Sequence, residues 1–284
     1  MDSVMDSVMD ALVTPGLGLL IACIAGLLMG SFLNVCIYRL TRDLSVVWPG
    51  SHCINCGHPI AWFDNIPVAS FLLLGARCRH CGTRISWRYP VVEALTAVLF
   101  MAGFLTFGPA PGAIKFAVFA FLLVGMIFSD LDQRILPDEF TKGGILAGFL
   151  LAFLVPLPQG LLSLLLRPID PRWVSLIESA LAAGFASGTL WLVGAIYSKV
   201  RHKEGLGFGD VKMVAMMGAF LGLPGTFAAV MLGCIAGSLI GLSYIHLAKK
   251  DAATYELPFG SFLGAAALLI VLSSQGWLQW YRSL

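Results

Sequence analysis

Long apolar runs restrict what this chain can fold into more than any other feature. Eight such runs can be distinguished, at 14–38, 91–107, 114–130, 141–157, 176–197, 211–223, 226–247 and 258–276. A helix of about 20 apolar residues crosses the roughly 30 Å hydrocarbon core of a bilayer. Because 58% of the 284 residues are hydrophobic and 12% are charged, an ordinary soluble domain is excluded. The sequence predicts an all-α polytopic membrane protein with about eight transmembrane helices.

The distribution of basic residues predicts the orientation in the bilayer. The N-terminal stretch MDSVMDSVMD has no basic segment typical of a cleaved signal peptide, so the first run is expected to stay as a membrane helix. With the N-terminus outside, 14 of the 18 lysines and arginines lie on the inner side, as the positive-inside rule requires. These charges are explained by topology, and no nucleic acid partner is expected.

One polar insertion interrupts the apolar pattern after the first helix. It divides the chain into 1–38, the N-terminal tail and first transmembrane helix, 39–90, a cytoplasmic domain, and 91–284, the main membrane domain. A proline-containing segment near 155–175 is predicted to be an enlarged outer loop. Small residues recur at every fourth position and predict close helix packing in lipid: Gly26/Gly30, Gly184/Gly188, Gly218/Gly222 and Gly233/Gly237/Gly241.

The insertion contains a repeat, CINCGHPIAW and CRHCGTRISW, whose cysteines follow metal-site spacing. Each Cys-x-x-Cys-Gly turn presents two thiolates, and two turns complete a tetrahedral zinc site. The predicted ligands are Cys53, Cys56, Cys78 and Cys81. Four ligands leave no open position, so the zinc ion is expected to be structural. A redox or disulfide role is the alternative, which a reducing cytoplasm disfavours.

Two acids lie at the ends of apolar runs and form the candidate catalytic pair. Asp130 ends the third run in SDLDQRILPDEFT, and Asp210 begins the sixth in GLGFGDVKM. By the predicted topology both reach the inner membrane face, where two carboxyl groups could share a proton and activate water. Gly207 and Gly209 are expected to adopt backbone conformations closed to other residues and to admit the substrate main chain. Asp210 could instead cap its helix.

These motifs together resemble the type IV prepilin peptidases. GFGD is the Gly-x-Gly-Asp motif of intramembrane aspartyl proteases, and the resemblance extends over nearly the whole chain. It is carried by the segments GSFLNVCIYRL, HCINCGHPIAWFDNIPVASFLLLGARCRHCGTRISWRYPVVE, SDLDQRILPDEFT and GFGDVKM.

The resemblance implies an aspartic endopeptidase of the bacterial inner membrane, with 91–284 as its protease domain. Asp130 and Asp210 would be catalytic, and the partners would be prepilin and pseudopilin precursors, cut at the cytoplasmic face after a glycine. Relatives with the four-cysteine insertion commonly also methylate the new N-terminus with S-adenosylmethionine. The cofactor-binding residues for this methyl donor are unknown from the sequence.

A membrane transporter is the competing interpretation of the same acids. Buried carboxyl groups in membrane helices can bind a coupling cation instead of cleaving a peptide. That interpretation predicts discontinuous helices around a site midway through the membrane, whereas both acids fall at the inner ends of their runs. The oligomeric state is not indicated by the sequence.

Overall fold

The computed structural model describes residues 15–157, 162, 169–202, 205–247 and 257–283. Within this part of the chain the secondary structure is helical, with two isolated bridges and no extended strand. The predicted all-α fold is therefore confirmed. The N-terminal tail before residue 15 and about half of the predicted outer loop, residues 158–161 and 163–168, lie outside the described residues.

The described part of the chain contains eight α-helices, which we number in chain order. They are α1 Pro15–Leu40, α2 Ala69–Leu73, α3 Arg88–Phe107, α4 Pro111–Gln133, α5 Asp138–Leu154, α6 Pro171–Arg201, α7 Phe208–Leu247 and α8 Phe259–Ser283. A short 3₁₀ helix, Trp62–Asn65, lies in the insertion. All eight predicted apolar runs fall largely within these helices, and α7 contains two of them.

Five helices of the described chain are long and apolar enough to cross a membrane: α1, α3, α4, α6 and α7. The shorter apolar helix at Phe259–Ser273 belongs to α8. Large apolar side chains stay exposed on these helices, such as Leu28 on α1, which suits a lipid environment. The chain is thus built for a bilayer, and the number of spans stays a prediction.

The described chain divides into two compact units, Met1–Gly125 and Met126–Leu284. These units do not test the three-part division made from the sequence, which stays a prediction. In the first unit α1 packs on α3 at small residues. A methyl group added at Gly26 would lie 2.5 Å from the Ala97 Cα, and one at Gly30 would lie 2.7 Å from the Glu93 Cα. The helix backbones meet there, as predicted for that glycine pair.

In the second unit α7 is broken and folds back on itself. Gly222 has φ 68° and ψ −177°, outside the helical region, and Pro224 follows two residues later. After the break, Gly233 faces Leu263, whereas Gly241 faces the earlier Leu257. The second half of α7 therefore runs antiparallel to α8, back toward the end at which α7 began. The predicted runs 211–223 and 226–247 are therefore the two halves of one broken helix.

The small-residue spacing predicts contacts correctly at most positions of the second unit. A methyl group at Gly218 would lie 2.5 Å from the Ala183 amide nitrogen on α6, so these backbones are in contact. The prediction is wrong for Gly184 and Gly188, around which no neighbouring atom lies within 4 Å of an added methyl group. Their spacing is the same, but the face of α6 that carries them is not covered by another described element.

Candidate active site

Asp130 and Asp210 reach the site from opposite helix ends. Asp130 lies in the last turn of α4 and is 6% exposed. Asp210 lies in the first turn of α7 and is half-buried. Both belong to the second unit. The GLGFGD stretch thus delivers its acid at a helix start, while the SDLDQ stretch delivers its acid at a helix end, as the sequence predicts.

The position of Gly260 shows how close the two carboxyl groups are. A methyl group added at Gly260 would lie 3.2 Å from Asp210 Oδ1 and 3.3 Å from Asp130 Oδ2. The separation between these two carboxyl oxygens therefore cannot exceed the sum of the two distances. A single water molecule between them is within hydrogen-bond reach of both. The structure therefore brings the two predicted acids together.

Asp130 is held by the first turn of α8. Its Oδ2 accepts hydrogen bonds from the Ser261 amide at 2.8 Å and the Ser261 hydroxyl at 2.9 Å. Neither Gly260 nor Ser261 was predicted from the sequence. A glycine and a serine at the beginning of an apolar run are ordinary helix-start residues, and no local signal indicates that this helix start faces two acids distant in the sequence.

The two glycines of the GFGD motif leave room beside the acid. A methyl group at Gly207 would lie 3.3 Å from Asp210 Oδ2, and one at Gly209 would lie 3.2 Å from the Leu136 Cβ. Neither glycine is among the residues with positive φ. The expectation of special backbone conformations is therefore wrong, whereas the expected close approach of the substrate main chain stays a prediction.

A third acid, Asp138, lies in an ion-pair cluster outside the catalytic pair. Its carboxylate pairs with Lys142 at 2.6 Å and with Lys212, two residues after Asp210. Hydrogen bonds from these two lysines lower the pKa of Asp138 to about 2. The cluster ties the start of α5 to the first turn of α7, and so helps to hold the helix that carries Asp210.

The Asp138 cluster makes stability depend on pH in acid. A carboxyl group with a lowered pKa stabilises the fold when the pH is above the ordinary pKa of aspartate, 3.8. This contribution is lost as the pH falls toward 2. We expect the melting temperature of the detergent-solubilised chain to fall more between about pH 4 and pH 2 than that of Asp138→Asn. Glu139→Gln, at the neighbouring acid, should follow the parent chain. Equal acid sensitivity of Asp138→Asn and the parent would contradict this role.

The four predicted cysteines lie together in the first unit. Their Sγ atoms are all within 4.8 Å of one another, and those of Cys53 and Cys81 are 3.8 Å apart. A tetrahedral zinc ion at about 2.3 Å from each sulfur requires sulfur separations of about 3.8 Å. The residues present therefore fit a zinc ion, and among the described residues the cluster consists of these cysteines without a histidine.

The two cysteine turns have the same backbone geometry. In each turn the glycine after the second cysteine has positive φ, 69° at Gly57 and 68° at Gly82. Each of these glycines donates its amide to the carbonyl of the first cysteine, at 2.8 Å and 3.0 Å. A side chain would be strained in this left-handed region, which explains why the repeat keeps glycine at both positions.

The thiols of the cluster do not ionise alike without a cation. Hydrogen bonds from the side chain and amide of Thr83, together with the Asn55 side chain, lower the pKa of Cys81 to about 5. The pKa of Cys56 rises to about 11 although the His58 amide acts to lower it, because desolvation and the neighbouring thiols act in the opposite direction. A divalent cation would allow all four to bind as thiolates.

Two protein-family models match the chain. The model of the Bacterial Peptidase A24 N-terminal domain matches residues 24–107, which include the cysteines. The model of the Type IV leader peptidase family matches residues 116–242, which include both aspartates. No solved structure matches the chain.

Among curated proteins, several named Prepilin leader peptidase/N-methyltransferase are similar. The Aeromonas hydrophila protein is 32% identical over 90% of both chains, and that of Pseudomonas putida 31% over 91% of both. The Myxococcus xanthus (strain DK1622) protein is 41% identical over 77% of this chain, and the match spans 61% of that protein. On this coverage and identity, the chain belongs to the type IV leader peptidase family.

Proposed function

We propose that this chain is a membrane aspartic endopeptidase that removes the leader peptide from type IV prepilin and pseudopilin precursors. The observation that carries the proposal is the pair of carboxyl groups on Asp130 and Asp210, each with an oxygen within 3.3 Å of one point beside Gly260. The names of the relatives support prepilin as the substrate class.

Two neighbouring carboxyl groups can hydrolyse a peptide bond by dividing the proton transfers between them. At short range both cannot ionise freely, so they share one proton. The ionised member takes a proton from water, whose oxygen attacks the carbonyl carbon of the scissile bond. The protonated member donates to the leaving nitrogen as the carbon–nitrogen bond breaks. The leader then carries a new carboxylate, and the mature pilin carries a free amine.

The chain is a multi-pass protein of the bacterial inner membrane, and we place the reaction at its cytoplasmic face, with the N-terminus outside. The charge distribution supports this orientation, because 14 of 18 basic residues then lie inside. The end of α4 and the starts of α7 and α8 meet at the acids, which suits a site at one membrane face. A leader peptide approaching from the cytoplasm would reach the acids without crossing the hydrocarbon.

The cysteine cluster is proposed to hold one structural zinc ion. Cys53, Cys56, Cys78 and Cys81 supply four sulfurs, so no coordination position is left for a substrate. The ion would link two turns that are well separated in the sequence and would stabilise the insertion, which has little regular secondary structure of its own.

Methyl transfer to the new N-terminus is proposed from the names of the relatives, with S-adenosylmethionine as the methyl donor. Two buried polar side chains beside the insertion make hydrogen bonds within the fold: Glu93 accepts the Val68 amide at 2.7 Å, and the Asn34 side-chain nitrogen donates to the Tyr89 carbonyl at 3.0 Å, while Asn34 Oδ1 has no hydrogen-bond partner among the described residues. Among the described residues these groups do not form a cradle for the donor. We therefore assign no residue to it and derive no methylation step.

The transporter interpretation receives less support. It requires an ion site near a helix break midway through the membrane. The break in α7 is at Gly222, about three helical turns from Asp210. The two acids meet at helix ends, far along the helix from that break.

The deciding experiment uses the purified full-length chain and a pilin-type precursor, with and without S-adenosylmethionine. The mass of the product's N-terminus reports leader removal and methylation separately. We expect leader removal in both samples and a methylated product only with the donor. An intact precursor after prolonged incubation with folded protein would contradict the peptidase proposal, whereas an unmethylated product would contradict only the second activity.

Gly260→Ala tests whether the space between the acids is needed. The new methyl group would lie 3.2 Å and 3.3 Å from the two carboxyl oxygens, where the attacking water must fit. We expect leader cleavage to fall by about 10- to 100-fold, since small displacements at reacting groups have effects of this size. The methyl group would also lie 3.2 Å from Leu136 Cδ1, so the melting temperature is measured beside cleavage to show that the variant is folded.

Gly143→Ala is the matched control for that substitution. Gly143 is a helical glycine on α5 with no atom within 4 Å of an added methyl group. The Gly143→Ala protein should therefore cleave the precursor at the parent rate. Parent-like cleavage by Gly260→Ala would show that the space beside Gly260 is not used in the reaction.

A further inference from the structure

We infer that Ser261 is a positioning residue that holds the Asp130 carboxyl group in the same place in both of its protonation states. The inference rests on the proposed function, because a catalytic carboxyl group must be ionised in one step and protonated in another. It concerns a residue on α8 that lies outside the family's aspartate motifs as they stand in this sequence.

Three short contacts converge on the Ser261 hydroxyl and amide. The amide and the hydroxyl both lie within 2.9 Å of Asp130 Oδ2, and the hydroxyl also lies 3.1 Å from the Ile127 carbonyl oxygen. Asp130 and Ser261 are only 6% and 8% exposed. Bulk water is therefore a poor substitute for either contact.

The hydroxyl carries one hydrogen, so it can donate to only one of these two oxygens at a time. When Asp130 is ionised, the hydroxyl of Ser261 donates to Oδ2. When Asp130 is protonated at Oδ2, the carboxyl group can donate to the hydroxyl oxygen, whose own hydrogen then points to the Ile127 carbonyl. A hydroxyl group is both donor and acceptor, so a rotation about one bond serves both states.

The place of Ser261 in the fold makes the amide contact available. The first amide groups of an α-helix have no partner within the helix. Ser261 is the third residue of α8, and its amide contacts the Pro258 carbonyl at 3.2 Å as well as Asp130 at 2.8 Å. The amide can only donate, so the hydroxyl is the group that can adapt to a proton on Asp130.

Ser261→Ala removes the hydroxyl and keeps the amide. We expect kcat for leader cleavage to fall by about 10-fold or more, the effect of losing one hydrogen bond to a charged group. KM should stay within about 2-fold, because the buried hydroxyl contacts Asp130 and the Ile127 carbonyl within the protein. Ser261→Thr restores the hydroxyl and should recover most of kcat.

A change in the shape of the pH profile separates positioning from packing. If the hydroxyl follows the proton on Asp130, Ser261→Ala should change the pH dependence of kcat as well as its maximum. A packing defect would lower kcat by the same factor at every pH. Such a uniform loss, or a Ser261→Thr chain as slow as Ser261→Ala, would overturn the inference.

Ser129→Ala is the matched control. Ser129 is fully buried, precedes Asp130, and its hydroxyl has no hydrogen-bond partner among the described residues. Ser129→Ala removes a serine hydroxyl group, as Ser261→Ala does, and a parent-like kcat is expected. If Ser261→Ala does not fold, Ser261→Cys keeps the volume and weakens the hydrogen bond, so it too must lose kcat.

Parent-like kcat in a folded Ser261→Ala or Ser261→Cys chain would overturn the inference while leaving the peptidase proposal intact. Failure of the parent chain itself to cleave the precursor would instead overturn the proposed function. The two failures are therefore distinguishable in one set of assays.

Discussion

Asp130→Asn and Asp210→Asn will each reduce leader cleavage by about 10⁴-fold, the scale seen when one member of a catalytic unit is removed. Asparagine has nearly the same shape as aspartate but can neither take a proton from water nor deliver one to the leaving nitrogen. Since the two acids act on one bond, loss of either should be as damaging as loss of both. The measurement is the conversion of a pilin-type precursor by purified protein, monitored through the mass of the cleaved product.

Asp170→Asn provides the matched control for these substitutions. Asp170 caps the start of α6, where its side chain accepts the Arg172 amide at 2.8 Å. Asparagine caps helices about as well as aspartate. The control should therefore fold and cleave like the parent. Cleavage within 10-fold of the parent rate by either Asp130→Asn or Asp210→Asn would refute the catalytic pair.

Cys78→Ser is expected to abolish zinc binding and unfold the insertion. The parent chain should contain one zinc ion, because four sulfurs within 4.8 Å of one another form one tetrahedral site. Structural zinc sites contribute on the order of 10 kcal/mol to folding. Loss of one ligand should therefore expose residues 39–90 to proteases. Metal analysis and limited proteolysis of the detergent-solubilised chain measure both effects.

Cysteines outside the cluster provide the comparison. Cys23→Ser and Cys234→Ser change thiols that lie in α1 and α7 and take no part in the four-sulfur group. These variants should keep one zinc ion and a protease-resistant insertion. A parent chain purified without metal but with a resistant insertion would contradict a structural zinc site, and paired disulfides would then be the better explanation.

The features that sequence predicts well here are local or repeated. The cysteine turns repeat Cys-x-x-Cys-Gly, and the four sulfurs predicted from that repeat lie within 4.8 Å of one another. The apolar runs predict most of the helices because bilayer thickness fixes their length. Asp130 and Asp210 stand out for the same reason, since an acid at the end of an apolar run is costly and has few structural uses.

The features that sequence misses depend on tertiary packing. Gly260 and Ser261 lie at an ordinary helix start, and their role follows only from the folding of α8 against the end of α4. The break at Gly222 is suggested by nearby Pro224, but the return of α7 alongside α8 is set by contacts that no local pattern encodes. The same limit applies to Gly184 and Gly188, whose spacing predicts packing that the described fold does not provide.

The proposed function depends on the meeting of two acids, far apart in the sequence, at one point of the membrane domain. Its most direct test is the distance between Asp130 Oδ2 and Asp210 Oδ1, measured in an experimental structure of the chain in a lipid nanodisc. We expect a separation that one water molecule can bridge, with Gly260 beside both oxygens. A separation beyond about 10 Å, too wide for one water molecule to contact both groups, would contradict it.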